Sequence, residues 1–204
     1  MTRVRIDPDS RTLGGFSTFL TFVALNLLYI VLCVPIVTIG AATSALYEVT
    51  LRYSDDESGR PLKDFFPAFR ANFGRATVLM LCLLLPAALL GFSSVFWFAH
   101  PALFAGVAGV VAVIGAVYLF AAFLYAMAQV AFFDNTVRQT LKNALLLPAA
   151  EPVRTLGVLI IPVTAVALMI LFPPAAILVG TIGFSVGAYA TAFLFRSVFT
   201  RHDA

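Results

Sequence analysis

The chain has 204 residues, of which 61% are apolar and 11% are charged, and its mean hydropathy is +1.00. A water-soluble domain of this size needs more polar surface, so the composition predicts an integral membrane protein. The thirteen Lys and Arg residues exceed the ten Asp and Glu residues by a net charge of +3. Without a soluble domain to carry a basic face, we expect no nucleic-acid partner.

Residues Phe16 to Val34 are predicted to form the first membrane-spanning helix, because they make an apolar run of 19 residues. Within it, Asn26 is expected to bond across helices or to line a polar path. A cleaved secretory signal peptide is the alternative, with the Ala-Thr-Ser-Ala sequence that follows as its cleavage site. The length of the run, and the further spans after it, favour the membrane helix.

A break bracketed by Pro35 and Gly40 interrupts this first apolar block. The 13 residues from Gly40 to Arg52 are predicted to form a short helix. Its length of about 20 Å cannot cross a hydrocarbon core of ~30 Å. Glu48 and Arg52 lie four residues apart and are expected to pair near the membrane surface. Alternatively, Glu48 contacts a proton or a substrate, because carboxylates inside membranes are often functional.

The rest of the chain is predicted to contain an amphipathic helix and four full spans. Residues 65–75 place Phe side chains on one face and Arg70 and Asn72 on the other, a pattern typical of a helix in the headgroup layer. A helix that docks on a cytoplasmic partner is the alternative. The spans are Ala76–Phe98, Leu103–Phe133, Leu156–Phe172 and Ala175–Phe195, and the polar loop 134–154 lies between the second and third of them.

The thirteen Lys and Arg residues lie in four clusters, at 3–11, 52–75, 138–154 and 196–201. Positive charges are retained on the cytoplasmic side of a membrane. If residues 16–52 form a hairpin, all thirteen lie on that side, and the turns at Val37 and His100 face the other. If residues 16–52 are one span, ten of the thirteen do. We therefore predict three helical hairpins in a bacterial inner membrane, with both termini in the cytoplasm.

Short sequence matches predict an internal repeat within a single membrane domain, 1–204. Arg11-Thr-Leu-Gly recurs at Arg154, and Thr38-Ile-Gly recurs at Thr181, both at an offset of 143 residues. Chance similarity is the alternative, because apolar sequences use few residue types. The corresponding repeat units are 11–52, 64–133 and 136–199.

Three groups of residues carry a family resemblance. They are Asn26-Leu-Leu-Tyr with Pro35-Ile-Val-Thr-Ile-Gly-Ala-Ala-Thr-x-Ala-Leu-Tyr47, then Phe69-Arg-x-Asn-Phe73, then Lys142-Asn-Ala144. In these residues, and in length and order of hydropathy, the chain resembles the YesL-like family of small bacterial membrane proteins, a family of unknown function. It departs at Tyr29, where the family often has Trp. Family members are often encoded beside ABC-type carbohydrate uptake systems, so the resemblance implies a role in supporting sugar transport and supplies no catalytic residues.

Two functions are therefore weighed. The first is an accessory protein of a sugar ABC transporter, which contacts permease or ATPase subunits through segments 65–75 and 134–154. The second is a small independent transporter or channel with a polar path near Asn26, Thr38 and Glu48, to which Gln129 could contribute. We expect no enzyme, cofactor or metal, because the sequence shows no paired carboxylates, Ser/His/Asp set or metal-ligand cluster. The candidate functional or packing residues are Asn26, Pro35, Thr38, Gly40, Glu48, Arg70, Asn72, Lys142 and Asn143.

Overall fold

The computed structural model describes residues 8–55 and 60–202. A 3-10 turn, Ile36–Thr38, joins the first two helices, and a π-helical segment, Val179–Gly183, joins the last two. The described residues contain no strand, so the predicted all-α fold is confirmed. The helices are α1 (Pro8–Cys33), α2 (Ile39–Asp55), α3 (Pro61–Phe98), α4 (Leu103–Phe132), α5 (Val137–Ala150), α6 (Pro152–Leu171), α7 (Ala175–Leu178) and α8 (Phe184–His202).

Five helical stretches are long and apolar enough to cross a membrane. Their outward faces carry large apolar side chains, such as Phe92, which is 77% exposed, and Leu171, which is 83% exposed. Lipid accommodates such faces and water does not. The prediction of a helical protein with several membrane spans is confirmed. The five stretches are Gly15–Cys33, Pro61–Phe98, Leu103–Phe132, Pro152–Leu171 and Ala175–Phe199.

The first two helices form a hairpin. The hydroxyls of Tyr29 and Thr43 lie 3.2 Å apart, and the rings of Phe22 and Tyr53 are 5.8 Å apart. The earlier residue of α1, Phe22, contacts the later residue of α2, Tyr53, so the two helices run antiparallel. The chain turns back at the predicted break, because Pro35 has no N–H to continue the α1 ladder. Residues 16–52 are therefore a hairpin and not one span.

The turn of this hairpin lies far from the turn between α3 and α4. Thr77 Oγ1 donates a hydrogen bond of 3.4 Å to the carbonyl oxygen of Val37. Thr77 precedes Phe98 by 21 residues on α3, which is about 32 Å at 1.5 Å per residue. The turn at Val37 is therefore level with the middle of α3, because α2 packs beside the first half of α3 and not beside its apolar second half. That Val37 and His100 face the same side of the membrane stays a prediction.

Segment 65–75 is not a separate helix in the headgroup layer. It belongs to α3, which runs unbroken for 38 residues, or about 57 Å. Phe65 is 0% exposed and Phe69 is 8% exposed, both within the protein core, while Phe66 and Phe73 point outward. The prediction of an interfacial helix is wrong at this point, because α2 and α4 supply a protein surface that buries half of the Phe stripe.

Two enclosed helical segments lie at the centre of the core. In α2, every residue from 40 to 51 is buried except Glu48, and in α4 every residue from 121 to 130 is buried. Both segments are rich in Ala, and small side chains let neighbouring backbones approach closely in membrane helices. Around them, α1, α3, α4 and α8 pack on α2, while α2, α3, α5 and α6 pack on α4. The short second helix is thus the centre of the bundle.

Candidate functional site

Asn26 bridges α1 to the interruption between α7 and α8. Its buried Oδ1 accepts hydrogen bonds from the backbone N–H groups of Phe184, at 2.8 Å, and Ser185, at 3.0 Å. Its Nδ2 donates to the carbonyl oxygens of Gly180, at 2.7 Å, and Val179, at 3.4 Å. A π-helical turn shifts backbone groups away from their α-helical partners, and this amide supplies both donors and acceptors. All four bonds hold protein backbone, so Asn26 presents no free group to a solute.

Both copies of Thr-Ile-Gly lie where a helix is interrupted. Thr38 ends the 3-10 turn, and its hydroxyl donates to the carbonyl oxygen of Pro35, three residues back. Thr181 lies in the π-helical segment, and its hydroxyl donates to the carbonyl oxygen of Leu178, also three residues back, at 3.0 Å. The two matches therefore share a local hydrogen bond. Whether the repeat arose by duplication stays a prediction.

Gly40 lets α2 touch α3 directly. A Cβ added at this position would lie 2.5 Å from the carbonyl oxygen of Ala76 and 2.8 Å from Cβ of Met80. Both neighbours belong to the backbone or to its first side-chain atom, so neither can rotate away. Gly40 is thus a packing residue that sets the distance between the two helices.

Glu48, Asn72 and Arg75 form a polar chain that runs from α2 to the loop between α4 and α5. The predicted pair of Glu48 with Arg52 is present. Asn72 Nδ2 donates to Glu48 Oε2 at 2.7 Å, and its Oδ1 accepts from Arg75 Nη2 at 3.4 Å. Arg75 Nη2 also lies 3.3 Å from Asp134 Oδ1. Glu48 therefore holds protein groups together at the end of the bundle.

The predicted residues Arg70, Lys142 and Pro35 lie on the surface. The guanidinium of Arg70 sits 4.8 Å above the ring of Phe66, within reach of a cation–π contact. Lys142 projects from α5, and Pro35 lies in the exposed turn of the first hairpin. These residues do not come together with Asn26 or with Glu48 in one site.

A cleft of about 480 Å³ lies between the end of α4, α5 and the end of α8. We call it the amide cleft, because four of the six Asn and Gln residues of the chain line it. Of these four, Asn143 is a predicted site residue, and Gln129 is predicted either to bond across helices or to line a polar path. The lining residues are Gln129, Phe133, Asn135, Gln139, Asn143, Leu146, Leu147, Ala150 and Phe199.

Sequence reasoning missed this grouping. The four carboxamides fall within residues 129–143, a concentration that could have been noticed. They belong to two helices and the loop between them, however, so no single helical period relates them. The way α5 folds back on α4 brings them together.

A second cavity, of about 340 Å³, lies among α2, α4, α6 and α8. Its hydroxyl-bearing lining residues are Tyr29, Thr43, Tyr47 and Thr191, and the rest are apolar or Gly. Asn26, Thr38 and Glu48 do not line it. Neither this cavity nor the amide cleft therefore joins these three side chains into a polar path. Likewise, no group of three or more metal-ligating side chains occurs in the described part of the chain.

In comparison with known proteins, part of the chain is similar to a family of unknown function. A family model described as "Protein of unknown function, DUF624" matches residues 22–94. The match runs from α1 into the second half of α3 and covers less than half of the chain. It contains Asn26, the Thr38 turn and Glu48 with Asn72, and it ends before the amide cleft. No curated protein and no solved structure matches the chain.

Proposed function

We propose that this protein is a non-enzymatic accessory subunit of an ABC-type carbohydrate transporter in the bacterial inner membrane. Its long helices anchor it in the bilayer. Segments 65–75 and 134–154 then form one docking surface on the cytoplasmic side for a permease or an ATPase subunit. The link to carbohydrate uptake rests on the sequence resemblance, and the docking surface rests on geometry.

The observation that carries the docking surface is the contact made by Arg75. Its guanidinium donates to the backbone oxygens of Phe133, at 3.5 Å, and Asn135, at 3.3 Å, and pairs with Asp134. The two segments are almost 60 residues apart in sequence, yet Arg75 joins the end of one to the start of the other. A partner could therefore contact both at once.

The chemistry of this surface suits a protein partner. Phe66 and Phe73 are 43% and 39% exposed, although they belong to the charged first part of α3 and not to its apolar second part. Arg70 lies over Phe66, and Arg138 and Lys142 project from α5. Aromatic residues and Arg are enriched at the centres of protein interfaces. The complementary partner surface is apolar with acidic groups at its edge.

The alternative of an independent transporter lacks a comparable observation. Asn26 bonds four backbone groups. The Thr38 hydroxyl bonds the backbone oxygens of Leu32 and Pro35, and Glu48 is paired with Arg52 and Asn72. Each of these groups already has protein partners, so none is left to exchange water for a passing solute.

Affinity purification tests the proposed role. When native membranes that contain the tagged chain are solubilised, the chain should co-purify with permease or ATPase subunits of a sugar transporter. The Phe66→Ala, Arg70→Glu double variant should reduce that recovery about tenfold or more, because interface anchors often contribute more than 1.4 kcal/mol. Phe92→Ala is the matched control, since Phe92 is exposed on the apolar half of the same helix. Recovery of no transporter subunit by the wild-type chain would refute the proposal.

A further inference from the structure

We propose that the amide cleft binds a small, neutral, polyhydroxylated molecule, of the class of a hexose or another cyclic polyol. The inference deepens the proposed function, because it names a ligand class for a protein that would act beside a sugar transporter. It is carried by the side chains of the cleft itself.

The deepest polar group of the cleft has no partner. Gln129 is 2% exposed, lines the cleft from α4, and its Nε2 makes no hydrogen bond within the described residues. Buried amides are nearly always hydrogen-bonded, and a native exception needs an explanation. A ligand hydroxyl that accepts from Gln129 Nε2 supplies one.

The other three carboxamides are also free to bind. In the described part of the chain, the side-chain amides of Asn135, Gln139 and Asn143 make no hydrogen bond to protein groups. Two of these residues bond through their backbone: the carbonyl oxygen of Asn135 accepts from Arg75, and the N–H of Gln139 donates to Thr136. Each carboxamide carries two donor hydrogens and an oxygen with two lone pairs. Vicinal hydroxyls donate and accept from neighbouring positions in the same way. Carboxamides therefore match a polyol without bringing charge.

Charge and shape narrow the ligand class further. None of the residues that line the cleft carries a formal charge. Arg75, which contacts the backbone of Phe133 and Asn135, is already paired with Asp134, so the lining offers no counter-ion to a phosphate or a carboxylate. Phe133 and Phe199 pack edge to face in the wall, with ring centroids 5.3 Å apart. An apolar ring surface suits the C–H face of a cyclic polyol. The volume of about 480 Å³ falls within the usual range for small-ligand sites.

Ligand-observed NMR on the purified full chain tests this inference. The protein is held in a detergent without a sugar headgroup, and saturation transfer is measured to D-glucose, D-galactose and myo-inositol. D-Glucose 6-phosphate is the anionic comparison, and N-acetylglycinamide is the amide comparison. We expect transfer to the ring protons of at least one of the three polyols, and weaker or no transfer to the two comparison compounds.

Two cleft variants and one control variant localise the binding. Gln129→Leu should weaken polyol binding about tenfold or more, because it removes a buried donor while keeping a similar volume. Asn143→Ala, at a half-buried position without protein bonds, should weaken it about threefold or more and keeps the test usable if Gln129→Leu fails to fold. Ser197→Ala is the control, because Ser197 lies two residues before Phe199 on α8 and does not line the cleft. Its affinity should be unchanged.

The outcomes separate this inference from the proposed transporter role. No transfer to any polyol, equal binding by wild-type chain and both cleft variants, or stronger binding of the phosphate or the amide compound would overturn the polyol site. If one of these binding results is obtained while transporter subunits still co-purify with the chain, the accessory role stands. Polyol binding without co-purification refutes the accessory role alone.

Discussion

Replacing Asn26 with Leu should destabilise the protein substantially, because it removes the amide that bridges α1 to the π-helical segment. Three of its four bonds, to Gly180, Phe184 and Ser185, are 3.0 Å or shorter. Side-chain hydrogen bonds inside membrane proteins contribute about 0.6 kcal/mol on average and at most ~1.7 kcal/mol. Three such bonds predict that the free energy of unfolding falls by about 2 to 5 kcal/mol. Leu fills a similar volume, so lost packing adds little.

Denaturation with SDS in mixed lipid–detergent micelles, followed by circular dichroism, measures this change. The matched control is Asn143→Leu, because the amide of Asn143 makes no hydrogen bond to the described residues, and its free energy of unfolding should stay within ~0.5 kcal/mol of the wild type. Equal stability of Asn26→Leu and Asn143→Leu would refute the assignment of Asn26 as a structural bridge. The alternative that Asn26 lines a polar path would then return.

Three further changes follow from the packing. Gly40→Ala should lower the free energy of unfolding by about 1–3 kcal/mol, because its Cβ would meet the backbone of α3. The control Gly91→Ala, where a Cβ has nothing within 4 Å, should raise the free energy of unfolding by up to ~1 kcal/mol. Equal effects of the two substitutions would contradict the close contact of α2 with α3. Glu48→Gln should lower the free energy of unfolding by about 1 kcal/mol or less in the same denaturation assay, since its partner Arg52 is largely exposed. Loss of a transport phenotype at unchanged stability would instead favour a functional carboxylate. Spin labels at Val37 and His100, in a chain without its native cysteines, should lie at least ~30 Å apart by pulsed EPR, whereas a distance under ~20 Å would place the two turns level with each other.

Local features of the site could be predicted where one helix supplies the whole pattern. Spacing alone indicated the pair of Glu48 with Arg52, because residues four apart share a helix face. The break at Pro35 was readable for the same kind of reason, since Pro removes a donor from the helix ladder. The residues that complete these features came from elsewhere: Asn72 reaches Glu48 from α3, and Arg75 in turn donates to Asn72. No periodicity in the sequence relates them to α2.

The interfacial helix shows how a pattern that fits two environments misleads. A Phe stripe beside basic residues is typical of a helix on a membrane surface, and it is equally typical of a helix that buries one face in protein. The sequence of residues 65–75 does not reveal that α2 lies alongside and covers Phe65 and Phe69. The amide cleft is the opposite case, in which residues with no shared pattern meet because α5 folds back on α4.

Composition and apolar run lengths by themselves determined that this is an all-helical membrane protein with five long helices and a short second one. Those properties depend on hydrophobicity and helix length, which add up along the chain. Tertiary structure alone decided that the short helix α2 lies at the centre, that the turn before it contacts Thr77 near the middle of α3, and that Asn26 joins segments more than 150 residues apart. These outcomes depend on which helices touch, and contacts between distant segments leave no local signal in the sequence.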